Sequence, residues 1–222
     1  MVTTSDVIDD RHVVAQNDTG LQGINTKRIF DILFALTLLP VIAPIIVVIW
    51  ALVRHEGGPG FFGHVRIGSN GRASKCWKIR TMLPDAQSHL QAHLAQNPEA
   101  TDEWATDHKL TDDPRITRLR RLLRRTSLDE LPQIWNVLRG DMSFVGPCPI
   151  VRSELHKYAM HRGGYLRMKP GITGLWQVSG RNDISYDDRV AMDMSYAKAQ
   201  TFWLDLRIIA LTLGTVLNRT GK

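Results

Sequence analysis

The longest apolar stretch of this 222-residue chain runs from Ile32 to Val53, and its only polar side chain is Thr37. About 20 apolar residues are enough for a helix to cross the hydrocarbon of a bilayer, so this stretch predicts a membrane helix. Pro40 and Pro44 lie near its middle, and each removes one backbone hydrogen-bond donor. The pattern therefore predicts a membrane helix that is broken at its prolines.

Both flanks of this stretch are basic. Lys27 and Arg28 precede it, and Arg54 and Arg66 are among the basic residues that follow it. Basic flanks resist translocation, so neither end is marked as the outer one. We therefore predict a re-entrant helix within residues 25–55, which enters the bilayer and returns to the same face. A spanning helix and a buried core helix of a soluble protein are the alternatives.

The rest of the chain shows shorter patterns. Residues 1–24 are polar and weakly patterned, which predicts a flexible amino-terminal tail. Ser69-Asn70-Gly71 lies between two β-prone runs and predicts a hairpin with strands near 61–67 and 74–80. Together with the helical patterns that follow, this makes residues 56–222 the predicted cytoplasmic domain.

Two amphipathic helices are predicted within that domain. Asp113-Pro114 marks the start of the first, which carries six arginines between 115 and 125 beside an apolar stripe. Its leucines suit the acyl boundary of a bilayer, and its arginines suit lipid phosphates or a phosphorylated substrate. A basic surface helix packed on the core is the alternative. The second, in 201–222, is too short to span and is expected to lie on the surface or dock on the core. The fold class is therefore α+β and helix-dominated, a monotopic membrane protein with interfacial helices and one small β-hairpin.

Composition narrows the class of partner. The net charge of +6 and the pI of about 9.6 favour an anionic partner: nucleic acid, acidic lipid or a phosphorylated substrate. No aromatic residues are interleaved with the arginines to stack on bases, so nucleic acid is not the expected partner. The two cysteines, Cys76 and Cys148, make no disulfide framework or zinc site and fit a reducing cytosolic environment.

The segment around Asp129 and Glu130 is the candidate reactive centre. Ser127-Leu-Asp-Glu130 has the pattern of a capping box, and a purely structural role at a helix start is one interpretation. A helix amino terminus also favours anions, and Arg124 and Arg125 just upstream are suited to neutralising a diphosphate. An Asp129 kept ionised there can attack phosphorus, and Glu130 offers Mg²⁺ a hard oxygen ligand. The surroundings thus favour phosphoryl transfer.

Four ordered segments resemble the signature blocks of the bacterial sugar transferases, the monotopic polyprenyl-phosphate phosphoglycosyl transferases. They are WKIRTM (77–82), LRRTSLDELPQIWNVLRGDMSFVGP (123–147), KPGITGLWQVSGRN (169–182) and FWLDLRI (202–208). The resemblance covers about residues 25–218. It includes a re-entrant helix with a central proline, for which Pro40 is the better match.

The resemblance implies a two-step reaction at the cytoplasmic face of the inner membrane. Asp129 would attack the sugar-linked phosphate of a UDP-hexose and release UMP, and polyprenyl (undecaprenyl) phosphate would then capture the phosphosugar. Galactose and glucose are the favoured sugars, and the product would initiate an exopolysaccharide or related surface glycan. Glu130, with Asp129, would hold Mg²⁺. Lys78 and Arg80 would contact phosphate, and Arg181 in the 169–182 block would border the site; a homodimer fits the family.

One position departs from the family pattern. The family usually reads Gly-Pro-Arg-Pro where this chain has Gly146-Pro-Cys-Pro149, and arginine there is expected to bind substrate phosphate. Cys148 lacks that bidentate charge. Three outcomes are open: a neighbouring arginine compensates for the missing guanidinium, the activity is reduced, or the chain carries a change that impairs it. A non-catalytic scaffold for glycan assembly and a membrane-tethered nucleic-acid binder are the competing functions.

Overall fold

The computed structural model describes residues 20–107, 110, 113, 115–179 and 184–217. Helices dominate, with one antiparallel and one parallel pair of strands. In chain order the elements are α1 Gly20–His55, β1 Phe61–Ile67, a 3-10 turn Ser69–Gly71, β2 Ala73–Ile79, α2 Ala86–Gln96, α3 Pro98–Asp107, α4 Arg118–Thr126, a 3-10 turn Leu128–Glu130, α5 Gln133–Arg139, β3 Ser143–Val145, a 3-10 helix Arg152–His161, α6 Arg162–Arg167, β4 Gly171–Thr173, α7 Leu175–Ser179, α8 Tyr186–Ala199 and α9 Phe202–Leu217.

Helix α1 is a single 36-residue helix that contains both Pro40 and Pro44. The predicted break at these prolines is wrong at the level of secondary structure, because each proline removes only one hydrogen bond and the turns on either side stay helical. Helix α1 also begins within the predicted tail 1–24, whose residues 1–19 lie outside the described part. By length and composition the segment Thr26–His55 qualifies to cross a membrane. Only 11% of its most apolar window is buried, which argues against a soluble core helix.

Both ends of α1 contact the same folded body. Near its start, the Asp31 carboxylate accepts hydrogen bonds from the Ser143 hydroxyl and the Phe144 amide, both at 3.1 Å. Near its end, Val53 is fully buried in a cluster that includes Ile79 of β2 and Leu123 of α4. Between these ends one face remains exposed, formed by Ile29, Leu33, Leu36, Val41, Ile45, Val47, Val48 and Leu52.

The predicted hairpin is confirmed. Strands β1 and β2 are antiparallel, with Phe61 opposite Ile79 and His64 opposite Cys76. Asn70 in the connecting turn has a φ of 57°, a left-handed conformation that asparagine tolerates well. The buried Asn136 side chain of α5 fixes β2, because its amide accepts from the Trp77 N–H at 3.0 Å and donates to the Lys75 carbonyl at 2.6 Å.

A second strand pair carries the loop that contains Cys148. Strands β3 and β4 are parallel, with Ser143 opposite Gly171. A Cβ atom added at Gly171 would lie 2.2 Å from the Gly146 nitrogen, and one added at Gly174 would lie 2.4 Å from the Gly146 oxygen. Both glycines are therefore required by backbone packing beneath the loop.

The two predicted amphipathic helices are present, and the start of the first is corrected. Helix α4 begins at Arg118 with Thr117 as its cap, whereas the Asp113 carboxylate binds the Arg115 guanidinium at 2.6 Å instead of capping a helix. In α9, Ile208 and Asp205 are buried against the core while Trp203 is 74% exposed. Helix α9 is thus docked on one face and open on the other.

Candidate active site

Asp129 lies in a tight 3-10 turn between α4 and α5, and its side chain is buried at 8% exposure. The predicted capping box is wrong. Ser127 has a φ of 55° and makes no side-chain cap, and it closes α4 through its own N–H to the carbonyls of Leu123 and Arg124. Asp129 and Glu130 therefore lie in the turn between α4 and α5, before the first residue of α5.

The carboxyl of Asp129 has an unusual pKa. Burial raises it, the neighbouring Glu130 carboxylate raises it further, and the total brings the pKa to about 6. Lys78 and Arg124 act in the opposite direction but do not cancel these effects. The positive surroundings predicted from the sequence are present, yet desolvation outweighs them. Asp129 is still mostly ionised at pH 7.

Lys78 binds the other member of the pair. Its Nζ lies 2.5 Å from Oε1 of Glu130, and both side chains are about one-third exposed. Burial alone would lower the pKa of Lys78, but the Glu130 carboxylate raises it and keeps the amine charged. Strand β2 carries Lys78 and contacts the Leu128–Glu130 turn. The hairpin therefore delivers one fixed cation to the two carboxylates.

The remaining predicted arginines are arranged in two ways. Arg124 donates from Nε to the Thr81 hydroxyl at 2.9 Å, and Arg125 is exposed on the same helix. Arg80 instead turns toward the α1–β1 connection, where it donates to the carbonyl of Gly57. Burial and the charges of Arg120 and Arg54 lower the pKa of Arg80. Arg124 thus acts electrostatically on Asp129, whereas Arg80 is held in a different cluster.

The 169–182 block is represented in part. Arg181 and Gly180 lie outside the described residues, so the predicted role of Arg181 stays a prediction. Gly171 and Gly174 belong to the same block and allow the close approach of the Gly146 backbone. Their effect on the site is indirect, because they position the loop that carries Cys148.

The donor set of the pair suits one class of metal ion. Within the residues described, no group of three or more His, Cys, Asp or Glu side chains is arranged to hold a metal. Two adjacent carboxylates without further protein ligands suit Mg²⁺, which usually keeps water and substrate phosphate oxygens in its coordination sphere. The pKa of Asp129 is raised first by burial and then by the neighbouring Glu130 carboxylate, and a bound cation would act against that second effect.

Cys148 lies within electrostatic reach of Glu130. Its side chain is partly reached by solvent, yet burial raises the pKa of its thiol to about 11. Arg189 lowers that pKa and Glu130 raises it, so the thiol lies within electrostatic reach of both. The sequence did not single out Arg189, because α8 reads as an ordinary helix. Its Asp-Arg-Val sequence carried no recognisable chemistry of its own.

The chain is similar to several known proteins. A model of the bacterial sugar transferase family matches residues 22–219. The chain is 49% identical over 195 residues to an undecaprenyl-phosphate galactose phosphotransferase of Salmonella typhimurium, which covers 88% of this chain and 41% of that relative. It is 38% identical to a UDP-glucose:undecaprenyl-phosphate glucose-1-phosphate transferase of Klebsiella pneumoniae, over 90% of this chain and 42% of the relative.

A third relative has a similar length. The exopolysaccharide production protein ExoY of Sinorhizobium fredii is 47% identical over 198 residues, which are 89% of this chain and 88% of ExoY. The chain therefore spans less than half of the two longer relatives and most of the shorter one. Because the family model covers the transmembrane-type helix, the Asp129–Glu130 turn and α9 together, the chain belongs to the bacterial sugar transferase family.

Proposed function

We propose that this protein transfers a hexose 1-phosphate from a UDP-hexose to undecaprenyl phosphate and so initiates the assembly of an exopolysaccharide or related surface glycan. The observation that carries the proposal is the geometry of the pair. Asp129 is a buried, ionisable nucleophile, and the adjacent Glu130 is held by Lys78 at 2.5 Å. The relatives named above support the choice of acceptor and donor class.

The reaction takes place in two displacements at one phosphorus atom. A carboxylate oxygen of Asp129 attacks the phosphorus that carries the hexose, and the bond to the bridging oxygen breaks with its electron pair leaving on UMP. An oxygen of undecaprenyl phosphate then attacks the same phosphorus. The aspartyl oxygen leaves as the free carboxylate, and the product is undecaprenyl-diphosphate-hexose. Because the carboxylate is regenerated, no further reactant is consumed.

The protein's own groups make the first displacement feasible. Burial removes water from Asp129, so its carboxylate is less solvated than an exposed one and more reactive toward phosphorus. Lys78 and Arg124 supply positive charge for the phosphate oxygens. Glu130 holds Lys78 and, with Asp129, is the proposed ligand pair for Mg²⁺. The ion would supply charge neutralisation to the diphosphate when bound.

We also propose that α1 bends at Pro40 and Pro44 without losing its helical turns, that it is therefore re-entrant, and that the site faces the cytoplasm at the height of the lipid phosphates. Two contacts support this topology. Asp31 near the start of α1 and Val53 near its end are both buried against the same body. A helix that crossed a bilayer would place one of these ends beyond about 30 Å of hydrocarbon, where it could not contact the body that the other end contacts. The exposed apolar faces of α1 and α9 are the proposed lipid contacts.

The experiment that tests the proposal follows UMP release. The full-length protein in detergent or nanodiscs is mixed with UDP-galactose, Mg²⁺ and undecaprenyl phosphate, and UMP and lipid-linked sugar are measured. We expect both products from the wild type and neither from Asp129→Asn. Asp187→Asn, which changes an exposed acid at the start of α8, is the matched control and retains activity. UMP release by Asp129→Asn at the wild-type rate would exclude the mechanism.

An assay with several UDP-hexoses identifies the sugar of the donor. UDP-galactose is the proposed donor because the galactose-specific relative is more similar than the glucose-specific one. The same assay with UDP-glucose and the N-acetylated UDP-hexoses ranks the donors by kcat/KM. A scaffold without activity would bind these nucleotides and release no UMP from any of them.

A further inference from the structure

Arg189 lies within electrostatic reach of Cys148 and belongs to a group of buried polar atoms that have no hydrogen-bond partner among the described residues. They are the Nε of Arg189, the indole nitrogen of Trp176 and the hydroxyl of Tyr186. Buried polar groups are normally paired, and leaving one unpaired costs free energy. All three of these groups can donate a hydrogen bond. Their unused donors therefore indicate a ligand rich in acceptor oxygens.

The guanidinium of Arg189 is held in place without a carboxylate. Its central carbon lies 4.7 Å from the ring centre of Trp176 and 5.2 Å from that of Tyr186, so two aromatic rings fix its orientation. No carboxylate oxygen of the described residues comes within ion-pair distance of it. A fixed guanidinium with free donors is the arrangement that proteins use to bind phosphate in two-point fashion.

Aromatic contacts connect this guanidinium to the loop of Cys148. The Tyr165 hydroxyl donates to the Cys148 carbonyl at 3.2 Å, and its ring lies 4.6 Å from that of Tyr158. Tyr158 in turn lies 6.3 Å from Tyr186, ring centre to ring centre. The same loop lies within electrostatic reach of Glu130. Arg189 on one side and Glu130 on the other thus both lie within electrostatic reach of the Cys148 thiol.

We propose that Arg189, with Trp176 and Tyr186, binds the nucleotide part of the donor, and that its guanidinium holds the phosphate that a cysteine at position 148 does not bind. The inference rests on the proposed function and deepens it. The ligand class is a nucleoside phosphate, whose phosphate oxygens match the three donors. Cys148 is partly exposed and lies within electrostatic reach of Arg189, so the bound nucleotide would cover it.

Covering of Cys148 gives a readout that is independent of turnover. The full-length protein is treated with the small neutral reagent methyl methanethiosulfonate, with and without UDP, and each cysteine is followed by mass spectrometry. We expect UDP to slow the modification of Cys148 roughly tenfold or more, as expected for a charge-assisted bidentate contact. Cys76 is 2% exposed and serves as the internal control for unfolding.

Two variants assign the effect to the guanidinium. Arg189→Gln should require at least tenfold more UDP for the same protection, and Arg189→Lys, which keeps the charge without the planar fork, should fall between it and the wild type. Lys157→Gln is the matched control, because this exposed lysine lies 4.4 Å from the same Tyr186 ring. Equal UDP protection in wild type and in both Arg189 variants would overturn the proposal.

Exchange of the two residues tests the assignment in the reverse direction. In Arg189→Gln the KM for the UDP-hexose should rise. Adding Cys148→Arg should lower this KM again, because it returns a guanidinium to the neighbourhood of the bound phosphate. A purely structural arginine would change the unfolding temperature without this recovery. If the wild type releases UMP but UDP leaves Cys148 unprotected, the inference is wrong and the proposed function stands. If UDP protects Cys148 but no UDP-hexose yields UMP, the proposed function fails instead.

Discussion

Lys27 in α1 and Asp205 in α9 form an ion pair of 2.5 Å across 178 positions of the chain. Their side chains are 18% and 4% exposed, and the Tyr196 hydroxyl lies 2.6 Å from the same carboxylate. The Arg28 guanidinium binds the carbonyls of Val137 and Leu138 at 2.5 and 2.8 Å beside it. The first and last described helices are thus joined through a buried charge pair.

Breaking this pair should weaken the fold. Asp205→Leu leaves Lys27 without its carboxylate, and removing one partner of a buried pair costs about 3 kcal/mol. We expect a lower unfolding temperature and a smaller loss in the double variant Lys27→Met/Asp205→Leu, which removes both charges. The measurement is thermal unfolding in detergent. Additive losses in the double variant would show that the two side chains are not coupled.

The acid side of the pH–rate profile should report Asp129. The nucleophile must be ionised, and its pKa is raised to about 6 by burial and by Glu130. We expect kcat/KM for the UDP-hexose to fall about tenfold per pH unit below that value, because this parameter reports the free enzyme. The measurement is UMP release between pH 4.5 and 8. A rate that stays constant down to pH 4.5 would mean that Asp129 does not titrate with a raised pKa on this limb.

The same shift predicts that the nucleophile costs stability. The folded-state pKa lies above the ordinary value of 3.8, so the folded protein binds more protons than the unfolded chain between about pH 4 and 6. Stability therefore falls as pH rises through that window and stays low above it. Asp129→Asn should stabilise the protein at pH 8 by about 1–3 kcal/mol, at 1.36 kcal/mol per pKa unit.

The control for this prediction is pH itself. At pH 4 the wild-type carboxyl is largely protonated, so the stabilisation by Asp129→Asn should nearly vanish there. Asp193, whose pKa burial also raises to about 6, is unchanged in both proteins and cancels in the comparison. Unfolding is followed without added metal. A stabilisation independent of pH would contradict the electrostatic explanation.

Lys78 should tune the nucleophile as well as bind Glu130. Lys78→Gln removes the cation that lowers the pKa of Asp129, so the acid limb of kcat/KM should move up by about one unit. Lys78→Arg retains the charge and should keep the limb near the wild-type position. A fall in rate without any movement of the limb would indicate that the lysine acts on the substrate alone.

The loop of Cys148 should depend on the absence of a side chain beneath it. Gly171→Ala would place a Cβ 2.2 Å from the Gly146 nitrogen, and this clash with backbone should cost about 2–3 kcal/mol. Gly163→Ala is the matched control, because no atom lies within 4 Å of its added Cβ. That change in α6 should be neutral or stabilising. The unfolding temperatures of the two variants provide the comparison.

Local patterns predicted the parts of the fold that depend on short-range chemistry. The hairpin follows from Ser69-Asn70-Gly71 between β-prone runs, and the two amphipathic helices follow from their apolar stripes. The capping box at Ser127 failed because the same residues suit the end of one helix and the start of the next. Tertiary packing of β2 against this turn decides between them.

In the candidate site, too, some residues have a local signal in the sequence and others are brought together only by tertiary contacts. Asp129 and Glu130 could be found from neighbouring residues and from the family resemblance. The ion pair of Lys78 with Glu130 joins positions 52 apart, and Arg189 meets the Cys148 loop through three tyrosines. Such contacts leave no spacing in the sequence, so only the folded chain reveals them. The burial that raises the pKa of Asp129 is equally invisible in a string of residues.

Helix α1 contributes Ala35, Ile49 and Val53 to the buried clusters of the protein. The hydrophobic helix is therefore part of the folded core and not a separate membrane anchor. Removing α1 by cleavage after His55 would leave a cavity where these three side chains pack. The distance between the Asp129 carboxylate and the exposed apolar face of α1 is then set by packed secondary structure instead of by a linker. If the proposed function holds, the position of Asp129 relative to a lipid-borne phosphate is therefore fixed when the chain folds.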